Sequence, residues 1–289
     1  MTAPGDHAQS VAITGGAAGL GAALAVGFAE RGHRVFASDV SSTALDDLRN
    51  RHPDLTITTA VCDITDEEHV RLWADEIDAE LGGRGLDIVI NNAGILTPGP
   101  LEVLGIGPLR NEFDVNVFGS LAVIFALLPS LRRAAGRIVQ IGSVSGFLPL
   151  PFDGATSASK AAMEAFADVF RSELRTFGVD FVMVAPGSMS TAGPAKTAAQ
   201  LERLSSEMSD EQRALYGDQF DAFANSLNDM QASGMSAEEA AAEVIELAVR
   251  VPPPARGTVG DDARELRELI RDKTDDELDE LRRQMLGIG

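Results

Sequence analysis

Short apolar runs alternate regularly with amphipathic segments over the first 190 residues. Leu20, Leu24 and Phe28 recur at helical spacing in the first such segment. This alternation is typical of a parallel sheet covered by helices on both faces. Since no composition break or long linker interrupts it, we predict a doubly wound α/β sheet (a Rossmann fold) in one domain over residues 1–289. The runs predicted to be strands are 11–13, 34–37, 55–60, 86–90, 137–141 and 179–184.

The character of the chain changes after Pro186. Residues 195–232 are polar and helical with no strand pattern, and a helix over 237–250 ends before three prolines. A short strand is predicted near 257–260, and an acidic helical tail over 261–289. Because ligands of such sheets bind at the carboxyl ends of the strands, we predict that residues 190–232 form a substrate lid. A packing appendage is the alternative interpretation.

Composition excludes several classes of function. The net charge is −20, from 44 acidic and 24 basic residues, which disfavours nucleic acid and anionic membranes as partners. The single cysteine, Cys62, rules out an internal disulfide and a cysteine-based cluster, and the histidines lack metal-ligand spacing, so no metal is predicted. The apolar stretch at 121–131 is too short to span a bilayer and contains Pro129. We therefore expect a cytoplasmic protein.

A glycine-rich turn follows the first predicted strand and opens the first helix. Gly15, Gly19 and Gly21 permit a tight turn and let backbone N–H groups approach a pyrophosphate. Asp39 ends the second strand, where a carboxylate can accept both ribose hydroxyls of an adenosine and would repel a 2′-phosphate. Asp39 therefore favours NAD over NADP, unless it serves as a helix cap or turn residue.

Further motifs follow in a fixed order. They are Asn91-Asn92-Ala93-Gly94 after the fourth strand, Asn116, Ser143 after the fifth strand, Lys160, and Pro186-Gly187 after the sixth. With the glycine turn, these motifs and their spacing resemble the short-chain dehydrogenase/reductase family over residues 10–192. Residues 99–102 and 172–174 look like the branch that contains hydroxysteroid- and retinol-type dehydrogenases.

The resemblance implies a role for each of these positions. The cofactor-binding residues would be Gly15, Gly19, Leu20 and Gly21 at the pyrophosphate turn, Asp39 at the adenosine ribose, Asp63 at the adenine, Asn92, Ala93 and Gly94 along the cleft, Lys160 at the nicotinamide ribose, Pro186 and Gly187 in the turn after the sixth strand, and Thr191 at the carboxamide. The catalytic residues would be Asn116, Ser143, Thr156 and Lys160. The helix predicted over 156–176, rich in alanine on one side, resembles the family's dimerisation helix and implies a homo-oligomer, a dimer or tetramer.

One of these positions departs from the family pattern. Thr156 stands, without a gap, where the family has a tyrosine that exchanges the substrate's hydroxyl proton. An aliphatic hydroxyl is a much weaker acid than a phenol. General acid–base catalysis contributes about 10²–10⁴-fold to rate, so efficient turnover by the usual route is not expected. The chain's single tyrosine, Tyr216, lies far along the sequence.

Three hypotheses accommodate Thr156. The first, which we favour, is an atypical NAD-dependent oxidoreductase acting on a small or medium apolar carbonyl or alcohol, with the proton supplied by a water held by Thr156 and Lys160, by Asp153 or by Tyr216. Asp153 can also be interpreted as a helix cap, and Tyr216 as a packing residue. The second is a substrate that needs no enzyme acid, such as an iminium or an enone, or non-redox elimination or isomerisation. The third is a non-catalytic NAD-binding partner subunit.

Overall fold

The computed structural model describes residues 8–190 and 193–285, with backbone alone for 193–196. The strands within these residues are β1 (Ser10–Thr14), β2 (Arg34–Asp39), β3 (Ile57–Val61), β4 (Ile88–Asn91), β5 (Arg137–Ile141), β6 (Asp180–Pro186), β7 (Met189–Ser190), β8 (Met235–Ser236) and β9 (Arg256–Val259). The helices up to the sixth strand are α1 (Gly19–Glu30), α2 (Ser42–Arg51), α3 (Glu67–Leu81), α4 (Leu101–Leu104), α5 (Ile106–Phe113), a π-helical turn (Asp114–Gly119), α6 (Ser120–Ala134) and α7 (Gly154–Leu174). After it come α8 (Gly193–Glu207), α9 (Asp210–Ala232), α10 (Ala237–Val249), α11 (Asp261–Leu269) and α12 (Asp275–Met285).

The main sheet has seven parallel strands in the order β3-β2-β1-β4-β5-β6-β9. The order reverses between β1 and β4, which places a crevice at the carboxyl ends of these two strands. The predicted doubly wound α/β sheet is confirmed. The predicted strands are all present, with ends shifted by one or two residues because the apolar patterns do not mark where hydrogen bonding starts.

Helices pack on both faces of the sheet and form two separate cores. One core joins α3, α6 and α7 to the sheet through side chains such as Trp73, Ile124 and Phe170. The other joins α1, α2 and α10, with Leu24, Phe28 and Val244 fully buried. Because both faces are covered, the central strands are apolar on both sides and read as continuous hydrophobic runs.

The α8–α9 segment lies over the carboxyl edge of the sheet, where residues of α9 line the cavity. Helices α8 and α9 form a small core of their own, in which Phe220 and Phe223 pack against Phe152, at ring-centroid distances of 5.9 and 5.6 Å. The sequence pattern missed one feature here, since β7 and β8 pair in parallel as a two-residue ladder that ties the two ends of the α8–α9 segment together.

One helical run is long and apolar enough to cross a membrane by length and composition. It extends over Ile106–Ala134, and 61% of its most apolar window is buried inside the protein. The predicted limit of 121–131 was too narrow, because α5, the π-helical turn and α6 are continuous. The core helix of a globular protein passes the same test, so this run is weak support for a membrane span.

Candidate active site

The glycine turn between β1 and α1 has the backbone that its residue types require. Gly15 and Gly19 have φ values of +61° and +50°, which favour glycine. A Cβ on Gly21 would lie 1.9 Å from the carbonyl oxygen of Gly15. The turn therefore leaves no room for side chains between its two arms, and its backbone can approach a pyrophosphate closely.

Asn92 holds this turn from the neighbouring strand. Its Nδ2 donates to the carbonyl oxygens of Thr14 and Gly15, at 3.0 and 3.1 Å. The backbone N–H groups of Asn92 and Ala93 both donate to Thr14 Oγ1 at 3.1 Å. The Asn-Asn-Ala-Gly motif thus fixes the ends of β1 and β4 relative to each other.

Two carboxylates stand at the adjacent strand ends. Asp39 Oδ2 accepts from Ala17 N at 3.3 Å and Oδ1 from Ser41 N at 3.0 Å, so its carboxylate is tied to the glycine turn. Asp63 accepts from both the hydroxyl and the backbone N–H of Thr65, and these bonds lower its pKa. Both lie where the resemblance implies the adenosine, beyond the residues that line the main cavity.

A cavity of about 1250 Å³ opens at the carboxyl edge of the sheet. The predicted site residues that line it are Leu20, Asn92, Gly94, Ser143, Thr156, Lys160, Pro186 and Gly187. A Cβ on Gly94 would come within 3.1 Å of Asn116 Oδ1 and 3.6 Å of Lys160 Nζ, so the chain passes directly over the lysine. Thr191 lies outside the described residues.

Lys160 and Ser143 face this cavity from two elements. Lys160, on α7, donates from Nζ to the carbonyl oxygen of Ile141 at 3.1 Å. Burial lowers its pKa to about 8, and the charges of Glu112 and Asp153 partly offset that effect. Ser143, after β5, accepts at Oγ from Ser145 N and Oγ, at 3.2 and 2.9 Å.

Asn116 lies behind the cavity in the π-helical turn. Its Oδ1 accepts from Ile95 N at 2.8 Å, and its Nδ2 donates to Ile95 O and Ser159 Oγ, each at 3.0 Å. π-Helical turns inside α-helices are frequent at functional sites, where the widened turn re-aims a side chain. Here the turn directs Asn116 to the loop after β4 and to α7, so Asn116 positions the groups that carry Gly94 and Lys160.

Thr156 lies in the first turn of α7 between two buried carboxyls. Among residues 8–190 and 193–285, no hydrogen-bond partner is present for Thr156 Oγ1, Asp153 Oδ1 or Glu112 Oε2. The Thr156 hydroxyl lowers the pKa of both carboxyls without meeting hydrogen-bond geometry, which places it between them. Burial outweighs that effect, raising the pKa of Asp153 to about 7 and that of Glu112 as well.

The interpretation of Asp153 as a helix cap was wrong. Asp153 occupies the N-cap position of α7, but its side chain accepts none of the N–H groups of the first turn. Its Oδ2 accepts only a long bond from Ser157 Oγ, at 3.4 Å, within the described part of the chain. A buried carboxylate that does not cap the helix is not explained by helix stability.

Glu112 was missed by the sequence reasoning. It is fully buried at the end of α5, and Asn116 Nδ2 donates to its Oε1 at 3.3 Å. The available signal was spacing, because residues four apart share a helical face and Glu112 precedes Asn116 by four. An acidic residue on the face that carries Asn116 has to point toward α7.

Tyr216 lies away from this cluster in the structure. It sits on α9, where its hydroxyl donates to Glu102 of α4, and that bond raises its pKa. The cavity lining, as far as the described residues show it, does not include Tyr216. This arrangement lends no support to Tyr216 as the proton donor.

Apolar side chains from the α8–α9 segment and the tail close the cavity. The α9 contribution is Phe223, Leu227 and Met230, and the tail contributes Leu266, Leu269, Leu281 and Met285. The tail is held by Arg282 Nε, which donates to Pro149 O at 2.9 Å, and by Arg267, which lies 4.6 Å from the Phe147 ring centroid. The tail's part in the cavity was missed, although its leucines recur on one helical face.

Fold and site together define a nicotinamide-dependent oxidoreductase built on a doubly wound sheet. The chain belongs to the short-chain dehydrogenase family, whose family model matches residues 9–202. The match covers the sheet from β1 to β6 together with the cavity residues up to Gly187. The cofactor of this family is a nicotinamide nucleotide, and the glycine turn, in which a Cβ would collide with backbone, fits such a group.

The comparisons with individual proteins agree with this family. Retinol dehydrogenase 16 of Mus musculus is 35% identical over 220 residues, which are 74% of this chain and 69% of that protein. An NADPH-dependent 3-dehydrocapnine reductase of Ornithobacterium rhinotracheale is 31% identical over 254 residues, 86% of each chain. The crystal structure of a short-chain dehydrogenase from Streptomyces avermitilis has a TM-score of 0.78 at 27% identity, covering 98% of this chain and 100% of that one.

Proposed function

We propose that this protein is an NAD-preferring oxidoreductase that transfers hydride between the nicotinamide and a small or medium apolar carbonyl or alcohol. The proton that the substrate oxygen gains or loses in this reaction is transferred by a group other than a tyrosine. The observation that carries the proposal is the convergence of Ser143, Thr156 and Lys160 on one cavity that is otherwise lined mostly by apolar side chains.

The residues of the site support hydride transfer in particular. A bound nicotinamide would supply or accept the hydride at the position faced by Ser143. Ser143 Oγ can donate to a substrate oxygen and polarise its carbonyl, while Lys160 can hold the nicotinamide ribose. The apolar walls from α9 and the tail exclude water, which strengthens these polar interactions.

The preference for NAD rests on Asp39. Its carboxylate is fixed at the end of β2 by the N–H groups of Ala17 and Ser41, where a 2′-phosphate would bring like charges together. The bacterial relative that is 31% identical is named NADPH-dependent, so family membership does not decide the cofactor.

The test is a direct measurement of cofactor binding and of hydride transfer. We expect NADH to bind more tightly than NADPH, and NADH to be oxidised by a panel of apolar aldehydes and ketones. Ser143→Ala is expected to slow the reduction without weakening NADH binding. NADH binding without turnover on the panel would favour a non-catalytic subunit, and product formation without net redox change would favour elimination or isomerisation.

We also propose a homo-oligomer formed through α6 and α7. Four apolar side chains on these helices and the π-helical turn are exposed in the single chain: Phe118, Phe125, Phe166 and Val169. Exposed apolar side chains of this size are typical of interaction surfaces when they form one patch, and the Phe125 ring lies 6.3 Å from the Phe170 ring of α7, which brings the two helices together here. Light scattering should give a mass at least twice that of the chain, and Phe125→Glu should lower it, whereas a monomeric parent protein would contradict the proposal.

A further inference from the structure

Three buried oxygens without partners meet at the head of α7. The residues that carry them are exposed by only 0% for Glu112, 9% for Asp153 and 6% for Thr156. Within the described parts of the chain, Glu112 Oε2, Asp153 Oδ1 and Thr156 Oγ1 accept and donate no hydrogen bond. Buried polar atoms are nearly always paired, so three unpaired oxygens in one place point to a function that stability does not explain.

The charges of this cluster do not balance when all groups are ionised. Glu112 and Asp153 supply two carboxyls, and Lys160 is the one cation among the described residues that line the cavity. The tail adds more negative charge at the same cavity through Asp261, Asp262 and Glu265. Two carboxylates so close together, away from water, retain at least one proton between them.

Asp153 is the carboxyl of this pair that reaches the substrate side. Asp153 and Thr156 both line the cavity, whereas Glu112 lies behind them on α5. Asp153 precedes Thr156 by three residues, which puts both side chains on the same face of the first turn of α7. Both residues belong to the wall of the cavity that Ser143 faces, so a substrate oxygen held by Ser143 would lie beside this pair.

We propose that Asp153 is the general acid and base of this enzyme, that the Thr156 hydroxyl relays its proton to the substrate oxygen, and that Glu112 is a positioning residue that keeps the proton on Asp153. The proposal rests on the proposed oxidoreductase function. It replaces the missing phenol by two groups, a carboxyl that can hold the proton and a hydroxyl that can pass it on.

The relay delivers one proton from Asp153 to the substrate oxygen in each turnover, and solvent replaces that proton. During reduction the carbonyl carbon gains a hydride, and the π electrons of the C=O bond move to oxygen. That oxygen takes the proton of Thr156 Oγ1 while Oγ1 takes the proton of the Asp153 carboxyl. The product is an alcohol, Thr156 is unchanged, and Asp153 is left as a carboxylate that regains a proton from solvent. Alcohol oxidation runs through the same groups in reverse.

Burial and the charge of Glu112 adapt Asp153 to this role. Together they raise its pKa to about 7, although Thr156, Ser145 and Ser157 act in the opposite direction. A catalytic acid works best when its pKa lies near the operating pH. A threonine hydroxyl cannot itself release a proton at neutral pH, but it can pass one on when a carboxyl stands behind it.

The experiment follows the pH dependence of carbonyl reduction in four variants. In the parent enzyme we expect kcat/KM to fall as the pH rises through about 7, because Asp153 loses its proton.

Asp153→Asn should lower the rate by about 10²–10⁴-fold and remove this pH-dependent fall. Thr156→Val, which keeps the shape but not the hydroxyl, should lower the rate and retain the protonated carboxyl. Glu112→Gln should move this fall to lower pH, because the charge that raises the pKa of Asp153 is gone. Asp47→Asn, on the exposed surface of α2, is the charge-matched control and should change nothing.

A second measurement needs neither cofactor nor turnover. Infrared difference spectra of the cofactor-free protein between about pH 5 and about pH 8 should show a buried carboxyl losing its proton, and Asp153→Asn should abolish that band. An Asp153→Asn enzyme with the parent's rate and pH dependence would overturn the proposal, as would a spectrum unchanged by the substitution. A parent enzyme that oxidises no NADH would instead refute the proposed function, while the infrared titration would still test Asp153.

Discussion

The glycine turn and the head of α7 both contribute to the site at the carboxyl edge of the sheet, and their polar groups are paired to different extents. At the turn, Asn92 Nδ2 donates to the carbonyl oxygens of Thr14 and Gly15, and Gly21 leaves no side chain between the two arms. At the head of α7, Glu112, Asp153 and Thr156 each keep a buried oxygen without a partner among the described residues.

This difference in pairing matches two different tasks, cofactor binding at the glycine turn and proton transfer at the head of α7. A cofactor site gains from a rigid backbone, since little has to be ordered on binding. A proton-transfer site needs a group whose two protonation states are close in free energy, and incomplete pairing together with burial provides that. We therefore propose that threonine at position 156 affects proton transfer at the head of α7 and leaves the glycine turn unchanged.

The largest expected effect tests the glycine turn, which we call the rigid side of the site. Gly21→Ala should weaken NADH binding by at least about 100-fold, roughly 3 kcal/mol, because the new Cβ would lie 1.9 Å from Gly15 O. Titration of intrinsic fluorescence or calorimetry measures the affinity, and circular dichroism shows whether the sheet still forms.

Gly107→Ala is the matched control for this substitution. Gly107 lies on α5, where an added Cβ would meet nothing within 4 Å. Because Pro108 follows and disfavours a helical residue with a Cβ before it, no gain in stability is expected, but this variant should bind NADH as tightly as the parent protein. Equal affinities in the two variants would contradict the tight approach of backbone arms at Gly21.

A second substitution tests which cofactor the rigid side selects. Asp39→Ala removes the acceptor for the ribose hydroxyls and the charge that opposes a 2′-phosphate. NADH affinity should fall by about 10–100-fold while NADPH affinity rises, each shift corresponding to about 1–3 kcal/mol. Asp47→Ala removes the same charge from the exposed face of α2 and should leave both affinities unchanged. If NADPH already binds the parent protein more tightly than NADH, the prediction of NAD from Asp39 is wrong.

Much of the rigid side could be predicted from the sequence, because its requirements are local. Gly15 and Gly21 are needed by the backbone of one turn, and Asn92 follows the next strand in the sheet at a fixed distance along the chain. The strand–helix alternation likewise predicted a parallel sheet, since parallel strands need crossover connections, but it did not predict the order of the strands in that sheet.

The head of α7 could be predicted only in part. Thr156 and Lys160 belong to a recognisable motif, but Glu112 reaches them from α5 through tertiary packing that no spacing rule encodes. The environment of Asp153 was misread for the same reason. Its position before a helix predicts a cap, and only the fold shows that its side chain turns inward instead. The closing of the cavity by α12 likewise depends on where a distant tail returns.

A third substitution asks whether the head of α7 is a defective site or an adapted one. Thr156→Tyr restores the family's residue, but its ring would displace the hydroxyl that lies between Glu112 and Asp153. We expect turnover to fall by about tenfold, roughly 1.4 kcal/mol. The variant loses the proton relay through Thr156, and the phenol that it gains is a weak acid beside the buried carboxyl of Asp153. Thr156→Phe separates bulk from acidity and should be slower still. A Thr156→Tyr enzyme that is much faster than its parent would show that the site is merely impaired.

The smallest expected effect is thermodynamic and needs no substrate. The pKa of Asp153 is raised from its ordinary value near 4 to about 7 on folding. The stability associated with this proton is fully present below about pH 4 and is lost as the pH rises through about 7.

Asp153→Asn carries no titrating proton, so its stability relative to the parent should increase between about pH 5 and about pH 8. The gain should be on the order of 1 kcal/mol, because one pKa unit corresponds to about 1.4 kcal/mol and only the titration above about pH 5 contributes. Urea unfolding at the two pH values measures the difference, with Asp47→Asn as the control. If the stability difference between Asp153→Asn and the parent is the same at both pH values, or changes in the opposite direction, Asp153 is already ionised at about pH 5. The head of α7 would then hold no proton to transfer.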